Sequence, residues 1–381
     1  MNSNVKAGAM SANPLLGLRK LGTSVWLDDL GRVMLTDGSL ARLIEQDGLA
    51  GVTSNPSIFA ASMMKEPQYA AAVKERLATI SSSMALYESL AIEDVRAAAD
   101  LFAKLYRDTS GGDGFVSLEV SPHLAFDSAA SIADGKRLWG RLERPNVMIK
   151  IPGTIPGLVA IQELISAGIN VNVTLLFSPE RYRAVAEAYM GGLEARLAAG
   201  KPIDRVASVA SFFLSRIDTL VDPKLDQLAA KGQVAAKTLR GQAATANASR
   251  AYAIFTEISG SPRWQKLLGQ GARPQRLLWA STSAKDPTFS PIKYVEDLVA
   301  ADTVNTMPHQ TIDAYRRLGQ PAPRLEQHMS QAADALEGLE HLGIDMQAVA
   351  EELEREAVRK FVEPFDQLQA WLEARRTQPQ A

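Results

Sequence analysis

The chain has 381 residues, 46% of them hydrophobic and 22% charged, with a formal net charge of -2. That balance belongs to a folded chain with a sizeable core rather than a disordered one, and it leaves no global positive field to draw in nucleic acid or an anionic membrane. The absence of cysteine excludes disulfides, thiolate metal sites and a cysteine nucleophile, and the four histidines, His123, His309, His328 and His341, show no zinc spacing.

From Met1 to Gly22 there are a few basic residues but no apolar run ending in a small-residue cleavage site. No later stretch is long and charge-free enough to span a bilayer, so a cytoplasmic protein is expected. Short β-rich apolar runs then follow: Ser24 to Leu27, Gly51 to Thr53, Phe115 to Val120, Val147 to Ile151, Asn170 to Leu176, Val206 to Phe213, Arg276 to Ala280 and Thr303 to Thr306.

Between these runs the period lengthens. Val95, Ala98, Phe102 and Leu105 predict an amphipathic helix over Ile92 to Tyr106, and Leu158, Ile161, Leu164 and Ile165 predict another beginning near Pro156. After the fifth run, Ser178 is placed to cap a helix whose first position is Pro179 and whose buried stripe is Tyr182, Val185, Ala186 and Tyr189.

Alternating strand and helix predicts parallel pairing with right-handed crossovers, and eight such units match a closed (β/α)8 barrel, an α/β fold, over 1–381. An open doubly wound sheet uses the same alternation. Two helical segments exceed a minimal barrel: an insert from Asp222 to Pro274 between the sixth and seventh strands, and a tail from Leu325 to Arg376, followed by Thr377-Gln378-Pro379.

Polar residues interrupt the apolar strands. Lys150 lies inside Val147-Met148-Ile149-Lys150-Ile151-Pro152, where a buried ammonium either pairs with a carboxylate or serves as a nucleophile. The residues alone leave both open. Asp28 closes the first strand, Asn55 follows the second and Glu119 interrupts the third. Asn172 and Thr174 share one face of the fifth, Ser211 and Arg216 end the sixth, and Ser281 ends the seventh. Barrel active sites are built from C-terminal strand ends, and seven strands agree in placing polar groups there.

Val52-Thr53-Ser54-Asn55-Pro56-Ser57, Ser117-Leu118-Glu119-Val120-Ser121-Pro122, Met148-Ile149-Lys150-Ile151-Pro152, Asn170 to Ser178 and Trp279-Ala280-Ser281-Thr282-Ser283 resemble the motifs of transaldolases, in family order between Gly22 and Gln320. The resemblance implies a TIM barrel that moves a dihydroxyacetone unit between sugar phosphates without metal or cofactor. It implies Lys150 as the Schiff-base nucleophile, Asp28 as acid and base at the carbon–carbon bond, and Glu119, through a water held with Thr174, as the group serving imine formation and hydrolysis. Asn55 and Asn172 would bind substrate hydroxyls, and Ser211, Arg216 and Ser281 its far end. Where many transaldolases carry a second arginine two residues after the seventh-strand serine, this chain has Ser283, with Lys285 two further on; Lys285 is expected to share in phosphate binding.

Other candidates read more plainly. Asp28-Asp29 lacks a third metal ligand nearby, and Ser110-Gly111-Gly112-Asp113-Gly114 precedes a strand, so a turn is expected rather than a phosphate cradle. Gly153-Thr154 fits a βα turn as well as a substrate-closing loop. His309 is expected to be an ordinary helix-start residue, Phe212 and Phe213 core, and Arg375-Arg376 a solvated terminus. Two rivals to transfer remain: an aldolase releasing free dihydroxyacetone, and a non-catalytic sugar-phosphate-binding barrel. The oligomeric state is left open, a homo-oligomer included.

Overall fold

Eight parallel strands close in chain order into a barrel in the computed structural model, which describes residues 13–77 and 79–377. They are β1 (Thr23–Asp28), β2 (Gly51–Thr53), β3 (Phe115–Glu119), β4 (Val147–Pro152), β5 (Val171–Leu176), β6 (Ser208–Phe213), β7 (Arg276–Ala280) and β8 (Thr303–Met307). β8 pairs with β1 over Thr23 to Leu27, which closes the ring. The first twelve residues, most of the segment read for a leader, and Gln378-Pro379 at the tail lie outside the described residues.

The strands form because both of their faces are covered. β3, β4, β5 and β6 are buried at every position, as expected of parallel strands filled from within and sheathed by helices. Trp26 fills part of the barrel and dictates its neighbour: a Cβ on Gly51 would stand 2.5 Å from Trp26 Cε2 and 2.8 Å from the Phe115 carbonyl oxygen. Glycine is thus required where β2 begins.

The helix Pro179–Ala198 starts as predicted, with Ser178 Oγ accepting from the Arg181 amide at 3.1 Å. The helix Ile155–Ala167 also forms, and Ser83–Asp108 extends the predicted Ile92 to Tyr106 segment at its N-terminal end. The helix after β6 is Ser215–Ala230, so Asp222, where the insert was expected to begin, lies within a continuous helix. The insert proper follows as Val234–Leu239, Ala243–Ser259 and Pro262–Leu268. Asp218 and Asp222 join the two parts by accepting from the Ala244 and Gly241 amides at 2.8 and 2.9 Å.

The tail folds as Leu325–His341 and a 32-residue helix, Met346–Thr377. This terminal helix packs on β5 and on elements that follow β2, β3 and β6, namely Pro56–Lys65, the short turn Pro122–Leu124 and Ser215–Ala230. It therefore lies across the C-terminal mouth of the barrel. At the opposite end, Arg276 pairs with Asp113 at 2.8 Å and donates to the Gly112 carbonyl at 2.9 Å. The glycine-rich turn is thus a structural closure of the barrel floor, remote from the mouth.

Candidate active site at the barrel mouth

Register brings the central residues together. Glu119 on β3 is paired with Lys150 on β4, and Lys150 with Asn172 on β5. Lys150 is 4% exposed; its Nζ donates to the Ser54 carbonyl at 2.8 Å and stands 3.4 Å from Glu119 Oε2. Ser54 is held for this by its own hydroxyl, which donates to the Ser117 carbonyl at 2.8 Å. Both Glu119 oxygens and Thr174 Oγ1 are buried without a protein hydrogen-bond partner. Such groups need a ligand or water, so the arrangement has unspent acceptor and hydroxyl capacity beside an amine.

The backbone at Thr174 is bent to suit. β5 slips register between Val173 and Leu176, and Leu175 adopts a φ of 61°, a region costly for a branched side chain. Asn172 below it is fixed from both sides, its Nδ2 donating to Ser117 Oγ at 3.0 Å and its Oδ1 accepting from Ser211 Oγ at 2.7 Å. The Ser211 hydroxyl is thereby committed to Asn172 inside the barrel. Asn55 is half-buried and caps the helix Pro56–Lys65, its Oδ1 accepting from the Ile58 amide at 3.0 Å.

Asp28, at the end of β1, accepts from Thr53 Oγ1 at 2.9 Å, and Thr53 in turn meets Thr306 Oγ1 at 2.9 Å. Burial raises the Asp28 carboxyl above the ordinary aspartate range, against the pull of Lys150 and the Thr53 hydroxyl. Glu119 is likewise raised by burial, opposed by Lys150. Two carboxyls of raised pKa around one amine each hold a proton more readily than an ordinary carboxyl, which suits them to acid–base work.

Arg216, in the first turn of Ser215–Ala230, lies 5.3 Å over the Phe213 ring and leaves Nη1 buried without a partner. Burial lowers its pKa, while the charges of Glu356 and Asp28 raise it. Beside it Ser281, at a φ of 56°, meets Ser215 Oγ at 2.9 Å. Lys285 is exposed and donates to Ser283 Oγ at 2.7 Å, so the lysine lies beside the serine that stands in place of the expected arginine. A free guanidinium edge at a helix start is suited to an anion.

The remaining candidates take structural parts. Thr154 caps Ile155–Ala167, accepting from the Gly157 amide at 3.1 Å, and donates to the Ala125 carbonyl at 2.5 Å. His309 stands 3.3 Å from Asp29, which raises its pKa, with its side chain 46% exposed. Phe212 and Phe213 are buried as expected, yet Phe213 also supports Arg216. Thr53, Ser117, Thr306 and the terminal helix belong to the site as well. The alternation of strand residues could have shown Ser117, two before Glu119; nothing local points to Thr306 or to the helix. Among the described residues, no cluster of three or more histidine or acidic side chains could hold a metal.

A parallel barrel with a buried lysine flanked by two carboxyls at its C-terminal mouth defines a class of Schiff-base-forming barrel enzymes. The Transaldolase/Fructose-6-phosphate aldolase family description matches residues 25–372, and the chain belongs to this family. It is 44% identical over 351 residues to a transaldolase of Thiobacillus denitrificans, covering 92% of this chain and 97% of the relative. A transaldolase of Thermobifida fusca is 45% identical over 357 residues, covering 93% and 96%. A relative named transaldolase 2, from Nostoc sp., is 42% identical over 374 residues, covering 96% and 98%.

Proposed function

We propose that this chain is a transaldolase that carries dihydroxyacetone on Lys150 from sedoheptulose 7-phosphate to glyceraldehyde 3-phosphate, giving erythrose 4-phosphate and fructose 6-phosphate in the pentose phosphate pathway. The observation that carries the reading is the buried Lys150 amine, 3.4 Å from Glu119 and in register with Asn172. The Thiobacillus, Thermobifida and Nostoc relatives bear the same name.

In this reading Lys150 Nζ adds to the ketose C2 carbonyl, and Glu119, working through a water shared with Thr174, gives a proton to the departing C2 hydroxyl. Asp28 then takes the proton of the C4 hydroxyl as the C3–C4 bond breaks. The iminium accepts the electron pair of that bond, so the chemistry needs neither metal nor cofactor. Asn55 and Asn172 hold hydroxyls of the bound three-carbon unit, Asn172 being fixed by Ser211. Arg216, Ser281 and Lys285 receive the phosphate end. Among the described residues no helix is long and apolar enough to cross a membrane, and we place the enzyme in the cytoplasm.

The test is a coupled assay of heptulose phosphate cleavage with and without glyceraldehyde 3-phosphate. Transfer requires the acceptor. Release of free dihydroxyacetone at the same rate in its absence would instead establish an aldolase, and ligand binding without any covalent adduct a non-catalytic barrel.

A further inference from the structure

The terminal helix carries charge to the mouth that the proposed chemistry leaves unused. Leu353, Ala357 and Phe361 form its buried stripe there, and Glu356 and Lys360 flank that stripe one turn apart. The helix is pinned along this stretch. Glu354 stands 3.7 Å from Arg181 in the helix after β5, and the Lys360 carbonyl accepts from Ser57 Oγ at 3.4 Å, two residues after Asn55. The helix Ser215–Ala230, with Arg216 in its first turn, packs against the same terminal helix.

Lys360 Nζ is 2.6 Å from Glu356 Oε1, and the two side chains are 48% and 34% exposed. Contact with Lys360, and after it the charges of Lys360 and Arg216, hold the Glu356 carboxylate below the ordinary glutamate range, against burial. Arg216 feels Glu356 in return: burial lowers its pKa, and Glu356 opposes this more than Asp28 does. Yet the carboxylate does not close on the guanidinium. Arg216 Nη1 stays buried without a partner while Glu356 is engaged by Lys360. A pair kept for stability would use the bidentate fit of carboxylate to guanidinium. Here an anion is held beside an arginine whose fork remains open.

We propose that Lys360 is a phosphate-binding residue supplied by the terminal helix, and that Glu356 is its counter-ion in the empty enzyme. The inference rests on the reading above that sets the substrate phosphate at Arg216. A sugar phosphate carries about two negative charges at neutral pH. Beside Arg216 it repels Glu356, a like charge, and offers Lys360 a stronger partner than a single carboxylate. Lys360 exchanges the carboxylate for the phosphate, and Glu356 turns further into the solvent that it already meets. A sugar without phosphate leaves the pair closed and gains nothing from Lys360, so the pair discriminates between the two kinds of donor.

The test uses the full chain with fructose 6-phosphate or fructose as donor and erythrose 4-phosphate as acceptor, and reads the ratio of kcat/KM for the two donors. The ratio cancels any change in the helix as a cover that both donors share. Lys360→Ala should lower it by about two- to fivefold, the range of a partly exposed ion pair, and Lys360→Arg should keep most of it. Glu356→Gln should raise it, because the phosphate then meets no carboxylate. The double variant decides between roles. A lysine that only neutralises Glu356 is silent once Glu356 is replaced by glutamine, whereas a phosphate ligand still lowers the ratio by about two- to fivefold from that of Glu356→Gln alone. A silent Lys360→Ala in that background, or a ratio that Glu356→Gln fails to raise, overturns the proposal. An unchanged ratio in Arg216→Ala overturns instead the setting of the phosphate at Arg216, and a wild type that yields no borohydride-trapped adduct with fructose 6-phosphate overturns the Schiff-base reading itself.

Discussion

Glu119 and Lys150 are register partners on adjacent strands, and the amine stands 3.4 Å from the carboxyl group, neither oxygen of which is hydrogen-bonded to protein. A buried pair kept only for stability is ordinarily completed by further hydrogen bonds, since desolvation otherwise outweighs the attraction. Here the amine is directed by the Ser54 carbonyl while the carboxylate is left open. That arrangement favours chemistry at the pair over an ion pair serving the fold.

Asp28 and Glu119 should fail differently. Glu119→Gln should slow adduct formation with fructose 6-phosphate by about a hundredfold or more, the range typical of a general acid–base group. Asp28→Asn should form the adduct but cleave it slowly, so borohydride trapping should leave the whole sugar on Lys150. Rapid-mixing, reduction and intact mass measurement separate the two cases, and Lys150→Ala should trap nothing. A normal rate of adduct formation in Glu119→Gln would overturn the division of roles.

Ser211→Ala should leave Asn172 Oδ1 without its 2.7 Å donor. One neutral hydrogen bond is worth about 1 kcal/mol, so kcat should fall roughly fivefold with the fold intact. Steady-state kinetics with phosphorylated and unphosphorylated donors checks the placement. A KM rise confined to phosphorylated donors would put Ser211 at the phosphate end instead.

Much of this was legible because barrel strands alternate and the site collects at their C-terminal ends. Asp28, Glu119, Lys150, Asn172 and Thr174 are polar residues within or at the ends of apolar runs, and each lies at the mouth or just within it. Partnerships across strands were not legible. Ser211 meets Asn172 through the β5–β6 register, which a bulge at Leu175 shifts, and no local pattern encodes that shift. Asn55 followed by Pro56 signals a helix cap, and its side chain is partly used in that way. The terminal helix reads as an ordinary amphipathic segment; only packing sets it over the mouth.

Thr53→Val should change the pH profile more than the rate optimum. The Thr53 hydroxyl stabilises the ionised form of Asp28 and so holds its pKa down against burial. Removing it lets the folded-state pKa rise further, and the carboxylate that the proposed cleavage step requires is then lost at a higher pH as the solution is acidified. The acid limb of kcat for cleavage should move to higher pH, with the alkaline side unchanged. A limb that stays in place would mean that Asp28 does not set it.

Gly51→Ala should destabilise the barrel without touching the chemistry directly. The new methyl would stand 2.5 Å from Trp26 and 2.8 Å from the Phe115 carbonyl, with no flexible side-chain end to give way. Overpacking of this kind costs about 1–3 kcal/mol, visible as a lower urea midpoint. Wild-type stability would show that Trp26 can move.

At the proposed phosphate end stand Arg216 and a serine two residues after Ser281, with Lys285 donating to that serine at 2.7 Å. Arg216 keeps Nη1 unpartnered over the Phe213 ring, so its fork is free for a phosphate, whereas Lys285 is an exposed, mobile point charge. Arg216→Ala should therefore raise KM for fructose 6-phosphate by about tenfold to a hundredfold, the loss expected of a charge-assisted contact of about 1.5–3 kcal/mol. For unphosphorylated fructose the same substitution should change KM little. Lys285→Ala should raise KM only a few-fold, and the effect should fade with added salt because an exposed charge is screened. Ser283→Arg should lower KM and make Lys285→Ala silent, since the arginine would take over the contact. If Lys285→Ala leaves the KM of phosphorylated donors unchanged at low salt, Arg216 binds the phosphate without it.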